Sequence, residues 1–421
     1  MKIYQSLALL VLSMNAQNTI ADPDHYKNVL IGERAAGLGG AFVAISDDPS
    51  GIYYNPAGLA FSFEDYVSIS ANAFNVSNAT FKDVFPGFDY KVKSASFVPS
   101  FFGFSQSFGA YKGGIAIIVP NYDLYDQQDE LKNYNADTTG TGNTNYNFRR
   151  FFRQDITYLG GVALAREFFK NFSIGSTVFL QYRTLKSIDN QTVAYNPVPD
   201  GNYFHQNVYI SGTNLALVPK IGAQYMPVKK WSLGFAAQLP IHLSSKVDVK
   251  IDKTTQEDEA EGNSARNPQN GVFSNDWIEK KLSGTLETVR HFSVTTGAAF
   301  FPNQRWVISS DIDLYFPALN TAEKFFFNFA LGAEYYITDT LPLRIGMYSN
   351  RSAAATTESE FGGLNLLGGS LGVSFLTKSS SFTMGTAYLY GKGKGNIVGK
   401  DDLKTVVYTQ LNLFVTGSYQ L

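Results

Sequence analysis

The chain has 421 residues, no cysteine, 17% charged residues, 15% aromatic residues and a formal net charge of −2. These figures exclude disulfides, thiolate metal centres and a lipid-linked cysteine, and the near-neutral charge gives no case for nucleic-acid binding. No internal stretch approaches the 18 or so consecutive apolar residues of a membrane helix, while low charge and many aromatics fit strands that show lipid only every second residue.

The first residues read as a secretory signal. Met1-Lys2 is a positive start, Leu7 to Leu12 with Met14 is a short apolar run, and Thr19-Ile20-Ala21 offers small residues at the cleavage positions. A signal peptide over 1–21 is therefore expected, with cleavage after Ala16 a poorer fit. A helical anchor does not fit, because Asn15, Gln17 and Asn18 interrupt the run. An exported barrel implies a Gram-negative-type outer membrane.

Residues 22–63 form a second unit, rich in Gly and Ala and without alternation. Gly37, Gly39 and Gly40 permit close packing and positive φ. Asp47-Asp48-Pro49-Ser50-Gly51 is a turn, and Asn55-Pro56-Ala57-Gly58 is another, with Asn able to cap its neighbours. Such a compact, small-residue segment suits the inside of a wide barrel. Asn28 to Gly32 followed by Gly37-Leu-Gly-Gly superficially suggests a dinucleotide fingerprint, but the G-x-G-x-x-G spacing is missing and no βαβ unit follows.

From Glu64 to Leu421 the pattern alternates. Strands are expected at about 64–74, 92–105, 112–120, 153–166, 171–186, 213–227, 230–243, 282–300, 304–316, 325–338, 341–350, 364–377, 381–391 and 403–421. Long, polar connectors alternate with short turns near Ala110, Lys170, Lys229, Asn303, Asp339 and Ser379. That rhythm is the mark of a transmembrane β-barrel, with short periplasmic turns and long outer loops. On 325–338, Phe325, Phe327, Phe329, Leu331, Ala333 and Tyr335 share one face, and Asn328, Ala330, Gly332 and Glu334 the other. Phe168, Phe169, Trp231, Phe300, Trp306 and Tyr335 cluster beside the short turns, as an interfacial girdle would. The fold expected is all-β: a 14-stranded antiparallel transmembrane β-barrel over 64–421, preceded by a lumenal hatch over 22–63.

The hatch motif carries a family resemblance. The Gly stretch Gly37 to Ala41, the acidic pair Asp47-Asp48, and Asn55-Pro56-Ala57 just before the first strand resemble the N-terminus of the FadL family of outer-membrane transporters for long-chain fatty acids and other hydrophobic molecules. The resemblance implies fourteen strands, a hatch that plugs the lumen, and a third strand with an inward kink. PorV-like secretion barrels carry a similar N-terminus, so the motif leaves the cargo open.

Chemistry of other kinds is sparse. His25, His205, His242 and His291 have no metal spacing, and His291 with Ser293 on one strand face reads as ordinary strand sequence. No catalytic residue, metal or cofactor is expected. Arg153, Asp155, Lys220, Asp311, Asp313, Glu334 and Arg344 should point inward, since Arg or Lys facing lipid at mid-depth costs about 2–4 kcal/mol. They read either as ion pairs holding the hatch or, at Lys220 or Arg344, as contacts for a cargo carboxylate; the resemblance favours some basic contact. Tyr122, Leu124, Tyr125 and Phe148 in the connector 121–152 suit an apolar outer groove or an interfacial anchor. Gly113 and Gly114 weaken the start of the third strand and Pro120 removes a ladder donor at its end, which marks a candidate lateral exit. The expected work is passive uptake of hydrophobic compounds, fatty acids first and aromatic hydrocarbons second, in contact with outer-membrane lipids. The alternatives are a PorV-like barrel that binds protein partners and a general porin.

Overall fold

The computed structural model of the chain describes residues 25–85, 88–135, 143–195, 203–256, 282–284, 292–317, 324–353, 364–395 and 403–421. The expected signal, 1–21, lies outside them.

A short-helix segment comes first, with α1 (Glu33–Gly37), α2 (Gly51–Tyr54) and a 3-10 turn over Pro56–Phe61. The remainder is strand. In chain order the wall is β1 (Tyr66–Phe85), β2 (Phe88–Phe108), β3 (Tyr111–Asn135), β4 (Asn143–Phe169), β5 (Phe172–Tyr195) and β6 (Tyr203–Val228). Next come β7, in two segments (Trp231–Gln238 and Ile241–Gln256), and β8, also in two (Leu282–Gly284 and Phe292–Phe300). The wall ends with β9 (Trp306–Phe316), β10 (Phe326–Thr338), β11 (Leu341–Asn350), β12 (Leu366–Leu376), β13 (Ser380–Gly395) and β14 (Lys404–Gln420). Both segments of β7 pair with β6, so the sixteen segments fill fourteen wall positions. Every neighbour is antiparallel, and β1 pairs with β14 from Tyr66↔Gln420 to Phe81↔Val406, which closes the barrel.

The wall is apolar outside, and most of its buried polar side chains point inside. Ile115, Ile117, Val162, Leu164, Leu331 and Leu371 are exposed, whereas Ser173, Thr177, Ser309, Asn328, Ser374 and Thr416 are buried. A soluble sheet buries its apolar face; this one does the reverse. At the short-turn rim, rings pair across neighbouring strands: Trp306 lies 4.6 Å from Tyr335 and Trp231 lies 4.8 Å from Phe300, centroid to centroid. No described helix is long and apolar enough to cross a membrane.

The strands run much further from the short turns than their sequence suggests. The first was expected to end at 74 and reaches Phe85; the third was expected to end at 120 and reaches Asn135. The expected connectors 121–152, 187–212 and 244–281 are therefore largely strand where they are described, over 121–135, 143–152, 187–195, 203–212 and 244–256. Backbone pairing continues there (Gln127↔Phe151, Asn190↔Asn207) after the one-faced apolar pattern has stopped. Period-two reading depends on that pattern, so a strand polar on both faces looks like a loop.

Candidate functional site

The N-terminal segment packs on the buried faces of strands around the ring. Ile31, Leu38, Phe42, Ile52 and Leu59 are fully buried, each contributing about 1.5–3 kcal/mol relative to exposure. Its motif residues do specific jobs. Gly39 and Gly40 have positive φ, 65° and 81°, a backbone that other residues resist. A Cβ on wall residue Gly346 would lie 2.2 Å from Gly39 N, so segment and wall are in backbone contact there. Where Gly37 meets the wall, a Cβ would lie 2.9 Å from the Arg344 side chain. Asn55 Oδ1 accepts from Ala57 N at 3.1 Å, while its Nδ2 donates to Val43 O at 2.8 Å and to Ala223 O on β6 at 3.1 Å. One side chain thus caps a turn, ties two parts of the segment and grips the wall. Pro56 then opens the 3-10 turn, where a missing N–H costs nothing.

Polar contacts fasten the segment on several sides. Arg34 bridges Glu334 on β10 (2.9 Å) and Asp47 (3.0 Å), and Arg344 on β11 reaches the same Glu334 at 2.6 Å and also Ser374. The Glu33 carboxylate accepts four hydroxyls: Thr383 (2.6 Å), Ser374 (3.4 Å), Ser381 (2.5 Å) and Ser418 (3.1 Å). Across the ring, Asp311 Oδ2 accepts from Phe42 N (2.6 Å) and Val43 N (2.9 Å), and Lys27 pairs with Asp313. Lys220 donates to Tyr53 O, and Ser173 donates to Ala57 O at 2.8 Å. Asp48 accepts from Ser50 N and Oγ, and burial pushes its carboxyl up to about 6. Lys220 and Arg344 are therefore engaged with the segment or with groups that hold it. Between the segment and β6 to β9 lies a cavity of about 70 Å³, lined in part by Lys27, Tyr53, Lys220 and Asp313.

Further from the short turns the interior is apolar, with Leu30, Phe81, Tyr125, Phe151, Tyr348 and Leu389 in one buried cluster. Beside it the wall has a seam. The β2–β3 ladder stops at Phe101↔Ile118, although both strands continue. In the same register the rung after next would set Pro99 against Pro120, and neither has an N–H to donate. On the β4 side Val119 and Pro120 oppose the single residue Tyr158, a β-bulge that turns β3. Above this point side chains replace backbone rungs. Ser94 Oγ donates to Leu124 O; the Gln127 amide accepts from Lys93 N (3.0 Å) and donates to Lys91 O (2.7 Å); Tyr90 OH donates to Asp129 (2.9 Å).

The candidate residues fall in different places. Pro120 sits at the foot of the seam. Gly113 and Gly114 lie below it, paired on both sides with Gln106 and Leu164, and with Ser105 and Ala163. A Cβ on Gly114 would lie 2.7 Å from Ile52 Cδ1, so that glycine makes room for the segment. Tyr125 is in the apolar interior, whereas Leu124 alternates with it on the other face of β3. Phe148 likewise alternates with Arg149 and Phe151 on β4, and Tyr122 packs on Val98, Val119 and Ile156 at the seam. The four are not brought together.

No family model and no curated protein matches the chain. Solved structures do. A Pseudomonas aeruginosa FadL homologue superposes with a TM-score of 0.62 at 12% identity, covering 93% of this chain and 99% of that one. The fold is that of the FadL-type barrels. The Pseudomonas putida toluene transporter TodX gives a TM-score of 0.59 at 13% identity (93% and 98% covered), and the CymD monoaromatic hydrocarbon channel gives 0.56 at 14% (93% and 98%).

Within this FadL-type fold, several residues went unread in the sequence. Glu33 has no local signature, because its partners lie on three strands more than 340 residues away. Arg183 could have been found: it shares strand parity with Gln181 and Thr177, whereas Tyr182 is exposed. Pro99 was visible as a proline within an alternating run, but its position opposite Pro120 depends on a register that only the folded chain supplies.

Proposed function

We propose that this protein is an outer-membrane transporter for the passive uptake of hydrophobic compounds, fatty acids first and aromatic hydrocarbons second. Residues 22–63 act as its hatch and 64–421 as its membrane barrel, with lipid against the exposed apolar face. The observation that carries this reading is the seam: among the described residues, the β2–β3 backbone ladder stops at Phe101↔Ile118 although both strands run on, beside an apolar interior and in a wall that is apolar outside. A water-filled pore would oppose greasy solutes; a side door into lipid avoids water altogether. The FadL-type fold and the hydrocarbon transporters among its structural neighbours support the same reading. Cargo would enter from the rim away from the short turns, rest on the apolar cluster, and leave between β2 and β3 above Pro99 and Pro120.

The test uses cysteines at Lys93 and Asp126, exposed positions on the two strands that flank the seam, next to the Lys93–Gln127 side-chain rung, in a chain with no native cysteine. A short, reducible thiol cross-linker should stop uptake of hexadecanoate and toluene, and reduction should restore it. Full uptake by the cross-linked barrel would remove the side exit. Absence of uptake by the unmodified barrel reconstituted in vesicles would favour the secretion-partner reading instead.

A further inference from the structure

Arg166 is a cation on the outward face of the barrel, where its neighbours are apolar. In the ladder it lies between Tyr111 on β3 and Ile174 on β5, with Leu164 and Phe168 two residues away on β4. All four are exposed, while Ala165 between Leu164 and Arg166 is buried, so Arg166 points outward with them. It stands four residues before Lys170 of its turn, as Tyr335 of the aromatic rim stands four before Asp339. An arginine facing lipid costs most at mid-depth and least near the interface, so this level tolerates the charge without explaining it.

The guanidinium is cradled but not neutralised. Its centre lies 5.2 Å from the Tyr111 ring centroid and 5.5 Å from that of Phe168, distances at which ring faces attract a cation. Nη1 donates to Tyr111 OH at 3.2 Å, and Nε is buried without an acceptor. Among the described residues no carboxylate pairs with Arg166. Glu167 alternates to the other face and accepts from Asn171 N at 2.9 Å. A guanidinium has five N–H donors, and a tyrosine hydroxyl that accepts still has its own proton to give. The pair is therefore short of oxygen acceptors and of one negative charge.

Its position says what kind of anion fits. Above it, toward mid-wall, lie the exposed Leu164, Val162 and Ile174; below it lies the turn rim. The occupant needs an anionic group at the level of the rim and an apolar body along the wall. The phosphate of a glycerophospholipid meets both demands, since its oxygens take charge-assisted bonds from a guanidinium and its acyl chains cover the aliphatic side chains. A free phosphate meets only the first.

We infer that Arg166 and Tyr111 form a binding site for the phosphate of a glycerophospholipid in the leaflet at the short-turn rim. The phosphate oxygens accept from Nη2 and from Tyr111 OH, with Phe168 on the side of the turn. The inference rests on the membrane reading above and goes beyond it by assigning one lipid to one place. That place is the foot of β3, the strand whose upper part leaves the β2 ladder, so a bound lipid holds β3 to β4 from outside.

The purified barrel, freed of lipid in a non-ionic detergent, is titrated with dipalmitoylphosphatidylglycerol, with dipalmitoylglycerol and with glycerol phosphate, and bound copies are counted by native mass spectrometry. The first phosphatidylglycerol should bind roughly tenfold tighter than the diacylglycerol, as a hydrogen bond to a charged group allows, and glycerol phosphate should not bind saturably. Arg166→Gln should erase the preference, and Tyr111→Phe, which keeps the ring, should fall between. Arg305→Gln, at another exposed arginine of the same rim, should change nothing. Heat-modifiable gel mobility checks assembly, and Tyr111→Phe carries the test should Arg166→Gln fail to assemble. Wild-type preference in assembled Arg166→Gln would leave Arg166 a strut to Tyr111 and overturn the inference. Equal loss in Arg305→Gln would overturn it too, as general attraction to a basic rim. So would glycerol phosphate binding as tight as the lipid's, which would assign the site to a free anion. A barrel that inserts into phosphatidylglycerol vesicles yet shows no preference removes the lipid site alone; one that does not insert removes the membrane reading with it.

Discussion

Glu334 is where the segment depends most on a single side chain. It is fully buried between Arg34 and Arg344, and removing one member of a buried ion network costs about 3–5 kcal/mol, because the remaining charges are stranded. Glu334→Gln should leave the barrel assembled by gel mobility yet raise amide exchange across 33–47 by two or more orders of magnitude. Asp48 works in the opposite sense. Its carboxyl is raised to about 6 from 3.8, so the folded segment holds the proton more tightly than the unfolded one. The stabilisation is complete below about pH 4 and is lost as pH rises through 6. The loss should be about 1–2 kcal/mol, below the full value of two pKa units because Asp48 is only partly buried. Protection of the amides in 46–52, relative to their intrinsic exchange rate at each pH, should fall between pH 4 and 6.5 in wild type. Asp48→Asn, which keeps an oxygen for Ser50, should keep the same protection at both.

Elements show how far sequence reasoning reached. The short turns, the aromatic rim and the exposed apolar faces were legible because each is local: a turn needs two residues and a face needs alternate ones. The Asn55-Pro56-Ala57 turn was legible for the same reason. What lay between elements was not. Lys220 and Arg344 could be assigned inward, but their partners are set by where the segment crosses the ring, and no spacing encodes that. The seam is the intermediate case, since Pro120 announced a missing donor while the facing Pro99 and the side-chain rungs of Ser94 and Gln127 needed the register. Two predictions belong here. Pro99→Val with Pro120→Thr gives the facing positions back their N–H donors; it should extend the β2–β3 ladder and lower hexadecanoate uptake at least fivefold with assembly intact. Unchanged uptake would count against a seam exit. Deleting residues 25–63 should leave a barrel that conducts ions several times better in planar bilayers, and unchanged conductance would argue against a plug.

The whole molecule has two unlike rims. One carries two-residue turns such as Lys170-Asn171 and Asp339-Thr340, and the other carries strands that run on past the apolar band. If the long rim faces outward, a cysteine at Lys250 should react with an impermeant thiol reagent in intact cells and one at Asp339 should not. Reaction at both sites would refute that orientation. The attachment of Glu33 has a further consequence for the order of events in time. Its four hydroxyl partners sit on β12, β13 and β14, from Ser374 to Ser418, so the first described helix is tied to the last strands to be made. Contacts of such long sequence separation form late, because the chain between them must be ordered first. Glu33 has no complete set of partners until β14 is in place beside β13. The segment therefore spends the synthesis of nearly the whole chain without its seat, and a barrel stalled before its final strand would be one whose N-terminal segment is still unfastened.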